Sequence, residues 1–151
     1  MKIFIGTDHG GFNLKNTIVE ELNNNSTYEV FDCGALSLDL EDDYPIFAQE
    51  VCKAVLTNAN SVGILLCRTG IGMSIAANKF KGIYAALCTS KEQAQRAKEH
   101  NNANVICLDS EFIRESVNLE IINTFLNELP SNHERHFRRI NQIKKFEENM
   151  N

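Results

Sequence analysis

The sequence has no apolar run approaching the ~20 residues that cross a bilayer, so no membrane span is expected. It has no basic excess. Fifteen Lys and Arg face 20 Asp and Glu, for a formal net charge of −5. That balance supplies little to neutralise a phosphate backbone and argues against nucleic acid as a partner. It has no CxxC pair. The five cysteines, Cys33, Cys52, Cys67, Cys88 and Cys107, are odd in number and scattered, which disfavours a disulfide framework or a zinc knuckle. Most of them read as small buried hydrophobes. The amino-terminal "MKIFIGTDHGG" lacks the apolar core of a secretory signal, and the expected location is the cytoplasm. Internal repeats, low-complexity tracts and composition shifts are missing too. Residues 1–151 are therefore read as a single domain with a full core.

What is present is alternation. "KIFIG", "YEVFDCG", "SVGILLC", "GIYAALC" and "ANVICL" read as strands over 2–6, 28–34, 61–67, 82–88 and 103–108. Between them lie helical patterns. "FNLKNTIVEELNN" spaces Leu14, Ile18 and Leu22 four apart, and "YPIFAQEVCKAVL" tolerates Pro45 in its first turn. "GMSIAANKF" is a third helix, starting near Met73, and Ser90 with Gln93 makes a capping box for "KEQAQRAKEH". Two further helices are expected at roughly 111–128 and 131–148, with fraying of "KKFEENMN". Such alternation predicts an α/β, Rossmann-like three-layer sandwich: a parallel sheet of about five strands with helices on both faces.

In that architecture ligands meet the carboxyl ends of the strands. Asp8, His9, Cys67, Arg68, Thr69 and Gly70 all fall on that rim. The glycine loop there lacks a Walker Lys-Ser/Thr, and it lacks the third glycine of a dinucleotide fingerprint. A flavodoxin-like redox module is not supported either. Glycines alone would fit a plain strand-to-helix turn. A cysteine at the loop's mouth, next to Arg68 and a helix start, changes the balance. Such surroundings lower a thiol pKa from about 8.5, and thiolate plus amide donors suit proton abstraction beside a carbonyl. Asp8 alone fits a helix cap, and His100 with Asn101 fits a helix C-terminus. Arg135 and Arg139, four apart, fit either an exposed basic face or a phosphate grip. The reading from residues alone is an acid/base site for a small phosphorylated carbonyl compound.

Over nearly the whole chain, "IGTDHGGFNLK", "DYPIFAQEV", "CRTGIGMSIAANK", "GIYAALC", "EHNNANVICL" and "RHFRRI" resemble the ribose-5-phosphate isomerase B family. That family also includes galactose-6-phosphate and allose-6-phosphate isomerases. The resemblance implies an aldose–ketose isomerase of sugar phosphates in the pentose phosphate pathway. It would need no metal or cofactor and would act through a cis-enediolate. It implies ring opening by Asp8 and His100, and proton shuttling between C1 and C2 by Cys67. It also implies a substrate-contacting Thr69 and an anion hole from Gly70, Ile71, Gly72, Met73 and Ser74. Phosphate-side contacts would come from His9, Arg135 and Arg139. The active site would lie between subunits of a homodimer or dimer of dimers, with the His100–Asn101 segment and the C-terminal helix reaching across. Ribose 5-phosphate is the first expected substrate and the hexose 6-phosphates the alternative. A phosphosugar-binding module without catalysis is the alternative of another class. The sequence departs from the family pattern at Arg68, Glu111 and Glu134, where glycine, arginine and glycine are usual.

Overall fold

Period-two alternation assigns the two faces of the sheet. In β1 (Lys2–Thr7), Ile3 and Ile5 fall on one side and Phe4 on the other. β3 (Ser61–Cys67) splits Ile64 and Leu66 from Leu65 and Cys67. β5 (Val105–Asp109) splits Ile106 and Leu108 from Val105 and Cys107. Both sides of these central strands are buried, as in a sheet covered on both faces. With β2 (Glu29–Asp32) and β4 (Ala85–Leu87) they form a five-stranded, all-parallel sheet of order β2-β1-β3-β5-β4. The structure, a computed structural model, describes residues 1–149.

Helices α1 (Phe12–Asn23), α4 (Lys91–Asn101) and α5 (Glu115–Asn127) cover the first face through Ile18, Leu22, Ala94, Ala97, Ile121 and Phe125. Helices α2 (Tyr44–Thr57) and α3 (Ile71–Ala77) cover the second through Ala48, Val51, Val55, Met73 and Ala77. The result is the expected α/β three-layer sandwich. Lys15 is fully buried in α1, where its ammonium donates to Asp32 Oδ2 at 2.6 Å and to the Ala35 carbonyl at 2.7 Å. That anchors the chain leaving β2 beneath the rim. The last helix, α6 (Glu134–Asn149), lies outside both layers and touches α4.

Several boundaries differ from the sequence reading. The strand expected over 82–88 is only Ala85–Leu87, because Gly82 takes a left-handed φ of +85° and the Tyr84 amide donates to Asn104 Oδ1. The strand expected over 28–34 is assigned only over Glu29–Asp32, although Cys33 and Ala35 still donate to β1 carbonyls. The helix expected from 111 starts at Glu115, because Asp109 Oδ1 accepts the amides of Glu111 and Phe112 and holds a turn there. The final helix starts at Glu134 rather than 131. The tail expected to fray stays helical through Asn149. Glu147 holds it by accepting from the Gly82 amide at 3.1 Å and the Tyr84 hydroxyl at 3.3 Å. Met150 and Asn151 lie outside the described residues. Among the described residues, no helix is long and apolar enough to cross a membrane.

Candidate active site

The carboxyl ends of β1, β3 and β5 are stitched together by short hydroxyls. Thr7 Oγ1 donates to the Leu66 carbonyl at 3.0 Å, and Ser110 Oγ donates to the carbonyls of Gly10 (2.7 Å) and Cys67 (2.9 Å). This cross-linked rim carries the candidate residues. Asp8 leaves β1 and caps a short 3₁₀ turn, His9–Gly11, by accepting the Gly10 amide at 2.9 Å. The cap expected of a lone Asp8 is therefore present. The side chain is also 7% exposed, and burial, the largest cause, raises its carboxyl above 3.8 against the pull of the Gly10 hydrogen bond. Burial that favours the protonated form suits a carboxyl placed to exchange a proton with a ligand.

Cys67 ends β3 and is 6% exposed. Its sulfur accepts the Gly70 amide at 3.1 Å. Gly70 is the left-handed N-cap of α3, at φ +73°, and α3 starts at Ile71 rather than near Met73. The Ile71 amide donates to Thr69 Oγ1 at 3.3 Å and the Ser74 amide to the Gly70 carbonyl at 3.0 Å. That leaves Gly72 and Met73 as the turn's uncommitted amides among the described residues. Tyr44, at the start of α2, closes over Gly72: a Cβ there would stand 2.7 Å from the ring carbon Cζ and push the ring aside. Burial pushes Cys33 and Cys52 up to about 11 and Cys88 up to about 12, and Cys107 is raised as well. Cys52, Cys88 and Cys107 are buried in the core, as expected of small hydrophobes, whereas Cys33 is only partly buried.

Arg68 folds its aliphatic stem over Gly10, where an added Cβ would lie 2.7 Å from Arg68 Cγ. Its carbonyl accepts from Ser110 and Glu111. His9 sits at the mouth of a cleft of about 290 Å³, shared with Gly10, Asn13, Ser110 and Glu115. His9 is held by Asp42, whose Oδ1 lies 2.7 Å from the ring Nδ1 and accepts the His9 amide at 2.9 Å. Asp8, His9 and Asp42 each offer a donor atom, all within 4.8 Å of one another. They form the one cluster of the described residues able to hold a metal ion.

His100, Asn101, Arg135 and Arg139 are not brought to this rim. α4 ends just before β5, whose first residue, Val105, pairs with Gly63, whereas Cys67 pairs with Asp109. The His100 end of the sheet thus lies roughly 13 Å of strand away from Cys67, at ~3.3 Å per residue. Asn101 lines a separate cavity with Asn78, Tyr84 and Ile143. His100 packs against His136 with ring centroids 4.3 Å apart and planes tilted by 35°, and His133 meets His136 edge-on at 5.9 Å. Arg135 Nε donates to His136 Nε2 at 3.3 Å. His136 is 3% exposed, with Nδ1 buried and unpartnered. Burial and then the neighbouring His100, Arg135, His133 and Arg139 lower its pKa below 6.5. Each chain therefore carries two clusters, one at each end of the sheet.

The structure places His9, Cys67, Thr69 and the loop on the rim as the sequence suggested, and it adds contacts the sequence did not show: Asp42 on His9, Tyr44 over Gly72 and His136 against His100. Tyr44 had a signal, because its ring directly follows the carboxylate-rich stretch Asp39–Asp43 and opens α2. Asp42 had none, since its partner is 33 residues away.

Comparison with known proteins agrees with this geometry. The family model described as Ribose/Galactose Isomerase matches residues 3–143. A ribose-5-phosphate isomerase B of Mycolicibacterium paratuberculosis is 39% identical over 97% of this chain and 92% of its own. The ribose-5-phosphate isomerase B structure from Clostridium thermocellum superposes with a TM-score of 0.94 at 40% identity, covering 100% of both chains. The one from Mycoplasma genitalium, solved with bound ribulose-5-phosphate, gives 0.92 at 43% identity over 97% of this chain and 96% of that one. By sequence and by structure, the chain belongs to the ribose/galactose isomerase family.

Proposed function

We propose that the protein interconverts D-ribose 5-phosphate and D-ribulose 5-phosphate through a cis-enediolate. The observation that carries the reading is Cys67: a thiol at the ligand-binding rim whose sulfur already accepts an amide at 3.1 Å. The relatives' activity and the bound ribulose-5-phosphate of the Mycoplasma genitalium structure point the same way. In the forward direction the ring must open first. Asp8 gives its proton to the ring oxygen while His100 takes that of the anomeric hydroxyl. The Cys67 thiolate then removes the C2 proton, the oxygens of the enediolate carry the charge while the hydroxyl proton passes from O2 to O1, and the sulfur returns its proton to C1, leaving the C2 carbonyl. Thr69 holds a substrate hydroxyl, and the loop from Gly70 to Ser74 faces the developing charge, with Gly72 and Met73 offering the free amides. His9, Arg135 and Arg139 take the phosphate, whose binding energy orients the reacting carbons.

This assignment needs two copies of the chain. His100, Asn101, Arg135 and Arg139 sit at the opposite end of the sheet from Cys67, so a partner chain must deliver them. The unpaired cysteines fit a reducing, cytoplasmic setting. Turnover of ribose 5-phosphate against allose 6-phosphate and galactose 6-phosphate tests the substrate, and negligible ribose 5-phosphate turnover would sink it. Cys67→Ala should abolish isomerisation while ribulose 5-phosphate still binds. Unchanged turnover would remove the thiol from the mechanism.

A further inference from the structure

We propose that Asp42 is a positioning residue that holds the His9 ring so that Nε2 alone meets the phosphate end of the substrate. The inference rests on the reading of His9 as a phosphate-side contact. Asp42 belongs to the loop between β2 and α2, and it reaches His9 across the rim. One oxygen, Oδ1, accepts twice from the same residue: from the His9 amide at 2.9 Å and from the ring Nδ1 at 2.7 Å. Bonds at both backbone and ring fix where the imidazole lies. An oxygen that accepts the amide accepts from the ring as well, so the Nδ1 position carries the proton. Nε2 is the nitrogen left for a ligand.

A second observation supports a purpose beyond folding. Asp42 Oδ2 is buried without a partner. An unpaired buried carboxyl oxygen is unfavourable, and a loop residue is free to turn it to water. Departures of that kind collect at functional sites.

The test is a set of variants, Asp42→Ala, Asp42→Asn, His9→Gln and the double change Asp42→Ala/His9→Gln. The readouts are steady-state kinetics, inhibition by inorganic phosphate and the ¹⁵N resonances of the His9 ring. Asp42→Ala should raise KM for ribose 5-phosphate and Ki for inorganic phosphate about tenfold each, with kcat little changed. The His9 ring should then pass from one tautomer to a mixture. Asp42→Asn retains an accepting Oδ1 and should recover most of the loss. In the His9→Gln background, where only the backbone amide at position 9 still donates to Asp42, Asp42→Ala should leave Ki for inorganic phosphate nearly unchanged. A loss of equal size in both backgrounds, or an unaltered His9 tautomer in Asp42→Ala, would overturn the proposal. If Asp42→Ala does not fold, Asp42→Ser supplies the truncation. Wild-type KM and Ki in His9→Gln would overturn the phosphate role of His9, and the Asp42 proposal with it. The isomerase reading would stand or fall separately, on the Cys67→Ala result.

Discussion

Gly70→Ala separates the strain of the glycine loop from ordinary loss of stability. At φ +73° an L side chain costs about 1–2 kcal/mol. A Cβ there would also stand 2.6 Å from Leu87 Cδ1 and 2.9 Å from the Leu108 carbonyl oxygen. The Leu87 methyl can rotate aside. The Leu108 carbonyl cannot, because it belongs to β5 inside the sheet, opposite Leu66. Overpacking against a fixed group costs about 1–3 kcal/mol. The sum is about 2–5 kcal/mol, a large part of the ~5–15 kcal/mol that holds a domain folded. At about 2–4 °C per kcal/mol for a chain of this size, Tm should fall by roughly 4–20 °C. Gly82→Ala is the control. Gly82 is also left-handed, at φ +85°, but its Cβ would meet only Leu56 Cδ2, at 3.2 Å. It should lose only the conformational part. The assay is thermal unfolding, with ribose 5-phosphate turnover measured where both variants are folded. Relief of the Gly70 clash must move the amide that donates to Cys67 Sγ, so Gly70→Ala should lose turnover and Gly82→Ala should keep it. Equal Tm losses with equal turnover would refute the link between the loop's strain and the site.

Two further outcomes follow from protonation. The raised Asp8 pKa means that the fold favours the protonated carboxyl. The stability this gives is full below 3.8 and is lost as pH rises through the raised value. Asp8→Asn keeps the acceptor for the Gly10 amide, so it should melt above wild type near neutrality, with the gain vanishing at about pH 3 and below, while turnover falls. A variant melting below wild type at neutral pH would contradict the burial argument. The depressed His136 pKa has the opposite sign: its contribution is full above 6.5 and is lost as pH falls through the lower, folded value. His136→Gln should flatten the loss of Tm between pH 7 and pH 5 measured for wild type, and an unchanged slope would remove His136 as its source.

How much of this was legible in the sequence depends on the range of each interaction. The central strands announced themselves because burial on both faces leaves continuous apolar runs such as "GILLC" in β3. The edge strand β4 did not show its true length. Its apolar residues continue to Cys88, but pairing is set by Gly82 and by Asn104, which cross-links the turn. The start of α5 was misplaced for a similar reason, because Asp109 spends its carboxyl on a local turn. Within the site, Cys67, Gly70 and Asp8 were readable because their partners are near neighbours in sequence. Asp42 beside His9 and Glu147 beside Tyr84 arise only once the chain has folded back. The separation of His100 from Cys67 was implied by topology alone, since a helix returning to a parallel sheet ends at the amino-terminal end of the strands, opposite the rim.

That separation has a genetic consequence. On the proposed shared site, a chain lacking its thiol and a chain lacking its α4 histidine are defective in different halves. Co-expressed, they would pair at random, and each mixed pair would combine both lesions in one site and leave the other whole. Two inactive alleles would then rescue each other to about a quarter of full activity, as expected for an isologous pair. A monomeric enzyme with the same residues would show no such complementation.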